Sequence, residues 1–343
     1  MKFLLLINNL YHCKILKPRY LLVGMFIFYT GSVKLSAQDP VFSQFMFNQL
    51  CFNPAFAGSL PYPRFTSGYR NQWPGLDRAY VSYYASYDQF VNWLDGGVGV
   101  NISRDVQGKG VFSKTAMDLM YSFPIEINRD LIVSLGLQAS LVQKKLSASD
   151  LVLPDQNPYE SSTQQEFIPN QDKLYPDFSA GTTFRIKEQY QINFSVYHLN
   201  KPNEMIGTEQ KFSTPVSCDI QFFGRFPGNQ NSRSEKSTTT LQPGLMAQIQ
   251  KANTYVGWGS NITVSPFIGG IWLRNNLSLN LNTFIFLAGY THSGLSLVYS
   301  YDLWVPKNDQ GIKNYGAHEV TFIYLFQYND PRKKMRIVKC PKF

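Results

Sequence analysis

Between residues 64 and 327, apolar and polar side chains alternate along the chain in segments of about ten residues. The stretch 131–141 shows the pattern, because its odd-numbered positions are Leu, Val or Ala and its even-numbered positions include Ser134, Gly136 and Ser140. The same alternation recurs at 98–105, 177–187 and 294–303. Successive side chains of a β-strand point to opposite faces, so the pattern predicts an all-β chain whose strands have one apolar and one polar face.

The alternating segments predict fourteen strands. Their expected bounds are 64–71, 78–88, 96–105, 111–123, 130–144, 174–187, 190–199, 214–226, 239–250, 253–264, 266–275, 281–290, 293–303 and 316–327. An even number of antiparallel strands returns the C-terminus to the end of the sheet at which the first strand began. Other divisions of the segments around 253–275 and 281–303 give twelve or sixteen strands, and these counts stay open here.

Two architectures fit such strands. In a soluble β-sandwich the apolar faces pack on one another, whereas in a membrane barrel they contact lipid and the polar faces line the interior. Aromatic residues are 15% of the chain and recur near predicted strand ends, as in the aromatic girdles of membrane barrels. The girdle candidates are Tyr80, Tyr87, Tyr121, Phe123, Tyr190, Tyr290, Tyr301, Trp304, Tyr324 and Phe326. The mean hydropathy of −0.21 is as expected when only every second residue of a strand contacts lipid. We therefore expect a transmembrane antiparallel up-and-down β-barrel, with an exported sandwich as the alternative.

The lengths of the predicted connections set the orientation of the barrel. Outer-membrane barrels have short periplasmic turns and longer extracellular loops. If the first strand runs outward, the connections 146–173, 201–213 and 305–315 are extracellular. The connection 227–237 is then periplasmic. It is long for a periplasmic turn, so a miscounted strand in the middle of the chain is an alternative.

Residues 1–37 have the pattern of a cleaved signal peptide, with five basic and no acidic residues and an apolar run at 20–29 before Ser36-Ala37. That run is about half of the roughly 20 residues that a membrane-spanning helix needs, which disfavours a permanent N-terminal anchor. Removing the five basic residues lowers the formal net charge from +9 to +4, so the charge gives little support for a nucleic-acid partner. We expect an exported protein of the Gram-negative outer membrane.

The mature chain would then begin with QDPVFSQFMFNQLCFNPAFAGS, residues 38–59, which is too aromatic for a linker and too polar for a membrane span. This stretch resembles the mature N-terminus of the PorP/SprF family of outer-membrane proteins of the type IX secretion system. Cys51 and Phe56 stand where that family more often has tyrosine. The resemblance covers nearly every position of the motif, so it is far more specific than a short loop pattern.

Because this segment precedes the first strand and cannot span lipid, we expect it on the periplasmic side or inside the barrel. Its aromatic side chains need a place to be buried. We predict that Phe45, Phe47 and Phe52 pack into the lumen or against the periplasmic rim and partly plug the pore. The expected domains are a signal peptide at 1–37, an N-terminal segment at 38–60, the barrel at 61–327 and a basic periplasmic tail at 328–343.

Two further motifs resemble the same family: R-N-Q-W at 70–73 and G-A-H-E-V at 316–320; the ending C-P-K-F resembles the family's C-terminus. Strand alternation places Arg70 and Gln72 on one face and Asn71 and Trp73 on the other. A carboxylate such as Glu319 in a confined lumen needs a cation. We therefore predict that Arg70 pairs with Glu319 and closes the first strand on the last; the alternative is that both are solvated at the barrel mouth.

Catalytic and metal sites find little support in the sequence. The histidines after residue 37 are His198, His292 and His318, and none has the spacing of a metal site such as H-E-x-x-H. A hydrolase built on Ser195 and His198 is a disfavoured alternative.

The cysteines after residue 37 are Cys51, Cys218 and Cys340. They form no C-x-x-C pair, which disfavours zinc, and one bridge between Cys51 and Cys340 is conceivable. We expect no enzyme activity, cofactor or metal.

The resemblance implies a membrane component of the type IX secretion machinery and of gliding motility. Such a component anchors periplasmic ring and motor proteins, or it helps to export a large adhesin-like substrate and to retain it at the surface through the C-terminal domain of that substrate. A porin-like solute channel is the alternative. Candidate partner-binding or plug residues are Asp39, Phe42, Gln44, Phe45, Phe47, Asn48, Phe52, Asn53 and Pro54. Candidate lumen or closure residues are Arg70, Gln72, Trp73, His318 and Glu319. Candidate tail docking residues are Arg332, Lys333, Lys334, Arg336, Cys340 and Phe343.

Overall fold

The computed structural model describes residues 41–76, 79–147, 171–187, 189–204, 206, 213–228, 239–251, 253–276, 281–305 and 316–326. Its strands are β1 (Arg64–Gln72), β2 (Tyr80–Val91), β3 (Gly96–Gln107), β4 (Phe112–Asn128), β5 (Leu131–Leu146), β6 (Gln171–Ile186), β7 (Tyr190–Tyr197), β8 (Ser217–Gly224), β9 (Phe226–Pro227), β10 (Thr239–Gln250), β11 (Asn253–Val264), β12 (Phe267–Asn276), β13 (Leu281–His292), β14 (Leu295–Trp304) and β15 (Ala317–Leu325). A short helix α1 (Gln49–Phe52) and 3₁₀ turns at Pro54–Phe56, Asn92–Leu94 and Gly108–Gly110 complete the described elements.

The strands form one closed antiparallel barrel. Each pairs with its neighbour in the chain, β15 pairs with β1, and β10 pairs with both β8 and β11. The two-residue β9 also pairs with β10 and is separated from β8 by Arg225 alone, so β8 and β9 are one strand of the wall with a break. The wall therefore has fourteen strands, which confirms the predicted number. The alternative of a miscounted strand is wrong, because β9 completes the eighth strand and the long connection that follows it begins at the same end as β1.

The two faces of the wall have opposite character. On β5, Leu137 is 65% exposed and Leu141 is 50% exposed on the outside, whereas Ser140 between them is only 7% exposed on the inside. The aromatics at the outer surface include Tyr80, Tyr87, Tyr121, Phe123, Tyr190, Tyr290, Trp304, Tyr324 and Phe326. Apolar side chains that point away from a closed barrel belong in lipid, and closure pairs the backbone groups of every wall strand. The barrel is thus a membrane barrel, and the sandwich alternative is wrong.

The connections differ in length at the two ends of the barrel. Two to four residues join β2 to β3, β4 to β5, β11 to β12 and β13 to β14, at the end where β1 begins and β15 ends. The opposite end carries the connections 147–170, 198–216 and 305–316. Short turns mark the periplasmic end of an outer-membrane barrel. The first strand therefore starts on the periplasmic side, as predicted. Within the described residues, no helix is both long and apolar enough to cross a membrane.

Residues 41–60, here called the plug, occupy the lumen. Phe45 is 3% exposed, Phe47 9% and Phe52 6%, so the predicted burial of these three side chains is confirmed. The ring of Phe45 lies edge-on against Trp272 with centroids 4.8 Å apart and stacks on Phe223 at 5.9 Å. The apolar core of this protein thus lies inside the barrel, between the plug and the wall.

Candidate functional site

An ion cluster lies where the first and last strands of the barrel meet. Arg70 on β1 stands opposite Glu319 on β15. Its Nη1 lies 3.0 Å from Glu319 Oε2 and its Nη2 lies 2.8 Å from Asp302 Oδ2 on β14. Arg70 is 5% exposed, Asp302 4% and Glu319 0%. The structure thus contains the Arg70–Glu319 pair predicted from the sequence, and it adds Asp302, which the sequence motif did not indicate.

The plug binds directly to this ion cluster. The backbone N–H groups of Ser43 and Gln44 donate to the two carboxylate oxygens of Glu319, at 2.7 and 3.2 Å. Ser43 Oγ donates to Asp302 Oδ2 at 2.6 Å and accepts from Arg70 Nη1 and from Arg274 Nη2, each at 2.9 Å. These contacts, which we call the seam latch, join the plug to four positions of the wall. Hydrogen bonds to charged groups are the strong ones, so the latch holds the plug at the barrel seam.

A second ion pair holds the other end of the plug. Arg64, the first residue of β1, lies 2.8 Å from Asp88 Oδ1 on β2. Asp88 Oδ2 accepts from the backbone N–H of Gly58 at 2.9 Å, and Gln49 Oε1 accepts from Arg64 Nη1 at 3.0 Å. Both ends of the plug are therefore fixed to the wall by buried charges.

Between these two ends, the plug lies directly on glycines of the wall. This glycine seat consists of Gly97 and Gly99 on β3, Gly136 on β5 and Gly181 on β6. A Cβ at Gly97 would overlap the carbonyl oxygen of Ala57, and a Cβ at Gly136 would overlap the backbone nitrogen of Ala55. Glycine weakens a strand interior, so its use at these inward positions fits a close backbone approach. The backbone of the plug makes that close approach here.

The N-P-A turn of the plug binds carbonyl groups of the wall. Asn53 Nδ2 donates to the carbonyls of Thr182 and Phe194, at 3.2 and 3.0 Å, while its Oδ1 accepts from the N–H of Ala55 at 2.9 Å. Ser195 Oγ donates to the Phe52 carbonyl at 2.7 Å. Ser195, a candidate nucleophile in the disfavoured hydrolase alternative, therefore binds the plug.

Most of the other sequence candidates also lie against the plug or on the seam. Phe42, Gln44, Asn48 and Pro54 are buried in the lumen, and Gln72 follows Arg70 on the inward face of β1. Trp73 directly follows β1, has a positive φ of 58° and packs edge-on against Tyr80. The candidates outside the described residues are Asp39, Arg332, Lys333, Lys334, Arg336, Cys340 and Phe343.

His318 does not line the lumen, so its choice as a lumen candidate is wrong. It precedes the inward-facing Glu319, and alternation along β15 therefore turns it outward. Its Nδ1 lies 2.7 Å from the hydroxyl of Tyr299, and its ring lies 5.0 Å from the ring of Tyr301. His318 thus belongs to the aromatic outer surface.

Two cavities lie on opposite sides of the plug. The outer cavity, about 150 Å³, lies towards the long loops, and its charged lining residues include Asp105, Asp118, Asp177 and Asp219 as well as Arg104 and Lys114. The periplasmic cavity, about 270 Å³, lies towards the short turns and contains Arg64, Arg185 and Arg225. Phe42, Cys51 and Phe52 of the plug face the outer cavity, and Met46, Phe47 and Phe56 face the periplasmic one. The plug therefore separates an acidic from a basic compartment.

Residues 34–324 match the family model described as type IX secretion system membrane protein PorP/SprF. The chain belongs to the PorP/SprF family. Its barrel is accordingly an outer-membrane barrel of type IX secretion, as the N-terminal motif indicated. No curated protein matches the sequence.

Several solved structures resemble this PorP/SprF protein. A FadL homologue of Pseudomonas aeruginosa has 10% identity and a TM-score of 0.43, over 84% of this chain and 95% of that one. The monoaromatic hydrocarbon channel CymD has 10% identity and a TM-score of 0.46, over 86% and 96%. The toluene transporter TbuX of Ralstonia pickettii has 7% identity and a TM-score of 0.44, over 80% and 92%.

Cys51 of the PorP/SprF plug is a partly buried free thiol. Burial raises the pKa of this thiol well above its ordinary range, and its Sγ lies 3.6 Å from Asn101 Oδ1. A thiol with a raised pKa is a poor nucleophile at neutral pH. Cys340, the conceivable bridge partner, lies outside the described residues.

Proposed function

We propose that this PorP/SprF protein is a closed anchoring barrel that acts in type IX secretion by holding other proteins at the outer membrane. The observation that supports this most is the plug, which is held by the seam latch, by Arg64 and Asp88, and by the glycine seat. A barrel built to conduct has little use for a lumen filled by its own buried aromatic side chains. The porin-like alternative is therefore the weaker one.

The plug makes closure a stable state of the protein. Within the seam latch, Arg70, Asp302 and Glu319 are at most 5% exposed, and removing the plug would leave Glu319 and Asp302 without the donors of Ser43. Hydrogen bonds to charged groups are the strong ones, so their loss is unfavourable. An open lumen would also expose the ring of Phe45 and the surfaces of Trp272 and Phe223 that it covers. These costs favour a plug that stays in place while the barrel works.

The partners we propose are periplasmic ring and motor proteins of the secretion system, or a large adhesin-like substrate bound through its C-terminal domain. Both approach from the periplasm, where β1 begins, β15 ends and the basic segment 328–343 follows. That segment includes six basic residues between 332 and 342. A basic run is usually a solvated terminus, so its docking role needs a direct test.

Co-purification tests the anchoring role. The full chain with a purification tag is expressed in cells with an intact type IX system, beside a chain that lacks residues 332–343 and a chain whose six basic tail residues are replaced by Gln. We expect periplasmic ring proteins to co-purify with the full chain and to be reduced with both tail variants. Absence of secretion-system proteins from the full-chain preparation would contradict the anchoring role. Normal recovery with both tail variants would remove the tail from the proposal.

Planar-bilayer conductance tests the closed state. The purified full chain should give no steady channel conductance, because residues 41–60 fill the lumen. A chain with Gly136→Val, whose side chain would displace Ala55, is the positive comparison. Stable conductance by the unaltered chain at the level of its Gly136→Val form would favour the porin-like alternative.

A further inference from the structure

The periplasmic cavity has a built cationic wall. It is bounded by the plug and by β1, β6, β7 and β10 to β15 of the barrel, and it reaches the periplasmic turn at Ser265, which is exposed. Its arginines are Arg64, Arg185 and Arg225. None of its described lining residues is Asp or Glu. The cavity thus offers fixed positive charge on the side of the barrel from which periplasmic proteins approach.

Arg185 is the residue that points to a ligand. It is 5% exposed on the inward face of β6, and its Nη1 has no hydrogen-bond partner among the described residues. By contrast, Arg64 is paired with Asp88. Leaving a buried charged donor without a partner is costly, so native structures normally supply an anion, a hydrogen-bond acceptor or water. An anion entering the cavity would supply that partner.

The size and the charge of the cavity restrict the ligand. Its volume of about 270 Å³ is room for carboxylate side chains of an extended segment. The chain's own tail from residue 332 onward is rich in Lys and Arg, so charge disfavours it as the occupant. The outer cavity has four aspartates in its lining, which confines the preference for anions to the periplasmic end.

We propose that the periplasmic cavity binds an acidic peptide segment of a periplasmic protein, with a glutamate or aspartate carboxylate held by Arg185 and, at longer range, by Arg225. Guanidinium groups bind carboxylates through charge-assisted hydrogen bonds in a fixed geometry. Because the plug forms one wall of the cavity through Phe47, Gln49 and Phe56, the bound segment also contacts the plug. This inference rests on the proposed anchoring function and names the chemistry of the docking segment.

Fluorescence anisotropy with a rhodamine-labelled hexaglutamate peptide tests the site on the full chain in nanodiscs of uncharged lipid. The variants are Arg185→Gln and, as a matched control at the opposite end of the barrel, Arg104→Gln, whose side chain is exposed. We expect saturable binding of one peptide per barrel, a dissociation constant raised at least about tenfold by Arg185→Gln, and no change with Arg104→Gln. Hexalysine and hexaglutamine peptides should not bind.

Three outcomes would overturn the inference. One is equal hexaglutamate affinity for the unaltered chain and Arg185→Gln, and another is no saturable binding. The third is displacement of the peptide by vesicles of anionic phosphatidylglycerol at lower concentration than by unlabelled peptide, which would assign the cavity to a lipid headgroup. Tryptophan fluorescence and heat-modifiable migration identify a variant that fails to fold; Arg185→Lys then replaces it, because lysine keeps the charge and loses the forked geometry. If ring proteins co-purify with the full chain but hexaglutamate does not bind, the acidic-peptide site is contradicted and the anchoring role is not. If hexaglutamate binds but no ring protein co-purifies, the anchoring role is contradicted and the acidic-peptide site is not.

Discussion

Replacing Arg70 by Ala is the sharpest test of the seam latch. The substitution removes the cation that lies 3.0 Å from Glu319 and 2.8 Å from Asp302. Asp302 keeps Arg274 at 3.9 Å, and Glu319 keeps the backbone N–H groups of Ser43 and Gln44. Among the described residues, Asp302 would then keep one more distant cation, and Glu319 would keep no ion-pair partner.

The expected loss follows from this geometry. Removing one partner of a buried ion pair costs about 3–5 kcal/mol, because the remaining charge stays desolvated. At about 1.4 kcal/mol for each factor of ten, that loss lowers the folding equilibrium constant by about two to four powers of ten. Glu319→Gln should cost less, about 1.5–3 kcal/mol, because Arg70 keeps Asp302 and the amide oxygen still accepts at one of the two carboxylate oxygen positions. The double variant should cost less than the sum, with a coupling free energy of about 0.5–3 kcal/mol.

Urea-induced unfolding of the barrel in lipid vesicles measures these differences, with tryptophan fluorescence as the signal. Trp272 lies 4.8 Å from the plug residue Phe45, so its emission reports plug packing as well as the barrel. Arg129→Ala is the matched control, because Arg129 is exposed in the turn between β4 and β5. A free energy of unfolding for Arg70→Ala within about 0.5 kcal/mol of both the unaltered chain and this control would contradict the predicted loss.

Three further predictions concern the plug. With Cys218 and Cys340 replaced by Ser, maleimide should label Cys51 slowly at pH 7 in the folded barrel and rapidly after denaturation, because burial raises the pKa of its thiol; equal rates would contradict this. Gly136→Val should speed that labelling by displacing the plug, whereas Gly269→Val, which meets only a distant Ile262 methyl group, should leave the rate unchanged. Asn53→Ala should lower the free energy of unfolding by about 1–3 kcal/mol, because two wall carbonyls lose their donor; an unchanged urea midpoint would show that the turn contributes little.

The barrel wall is predictable from the sequence because side chains of each strand face lipid and lumen in turn, which gives the apolar and polar residues a two-residue period. The plug is less predictable, because its contacts join residues more than 200 positions apart, as between Ser43 and Asp302. The aromatic content of the plug predicts that these side chains are buried, but it does not identify the surface that they pack against. Glycines at inward positions of β3, β5 and β6 were the available signal for a seat, since polar side chains usually fill such positions in a barrel.

The ion pair between Arg70 and Glu319 was predictable for a different reason. Both residues lie in motifs whose alternation sets the inward face, and β1 and β15 must pair in any closed barrel with this topology. Asp302 has no comparable motif, and its role depends on the register between β14 and β15. The wrong prediction for His318 has a different origin, because the motif at 316–320 suggests one location for all of its residues, whereas neighbouring residues of a strand face opposite sides of the wall.

The seam latch also makes the packing of the N-terminal segment depend on the last strand. Ser43 and Gln44 precede the first strand, whereas the carboxylate that binds their N–H groups belongs to β15, the last strand of the wall. The Arg70 side chain reaches both β14 and β15, through Asp302 and Glu319. The first described residues of the plug therefore make their complete set of hydrogen bonds only when the barrel is closed.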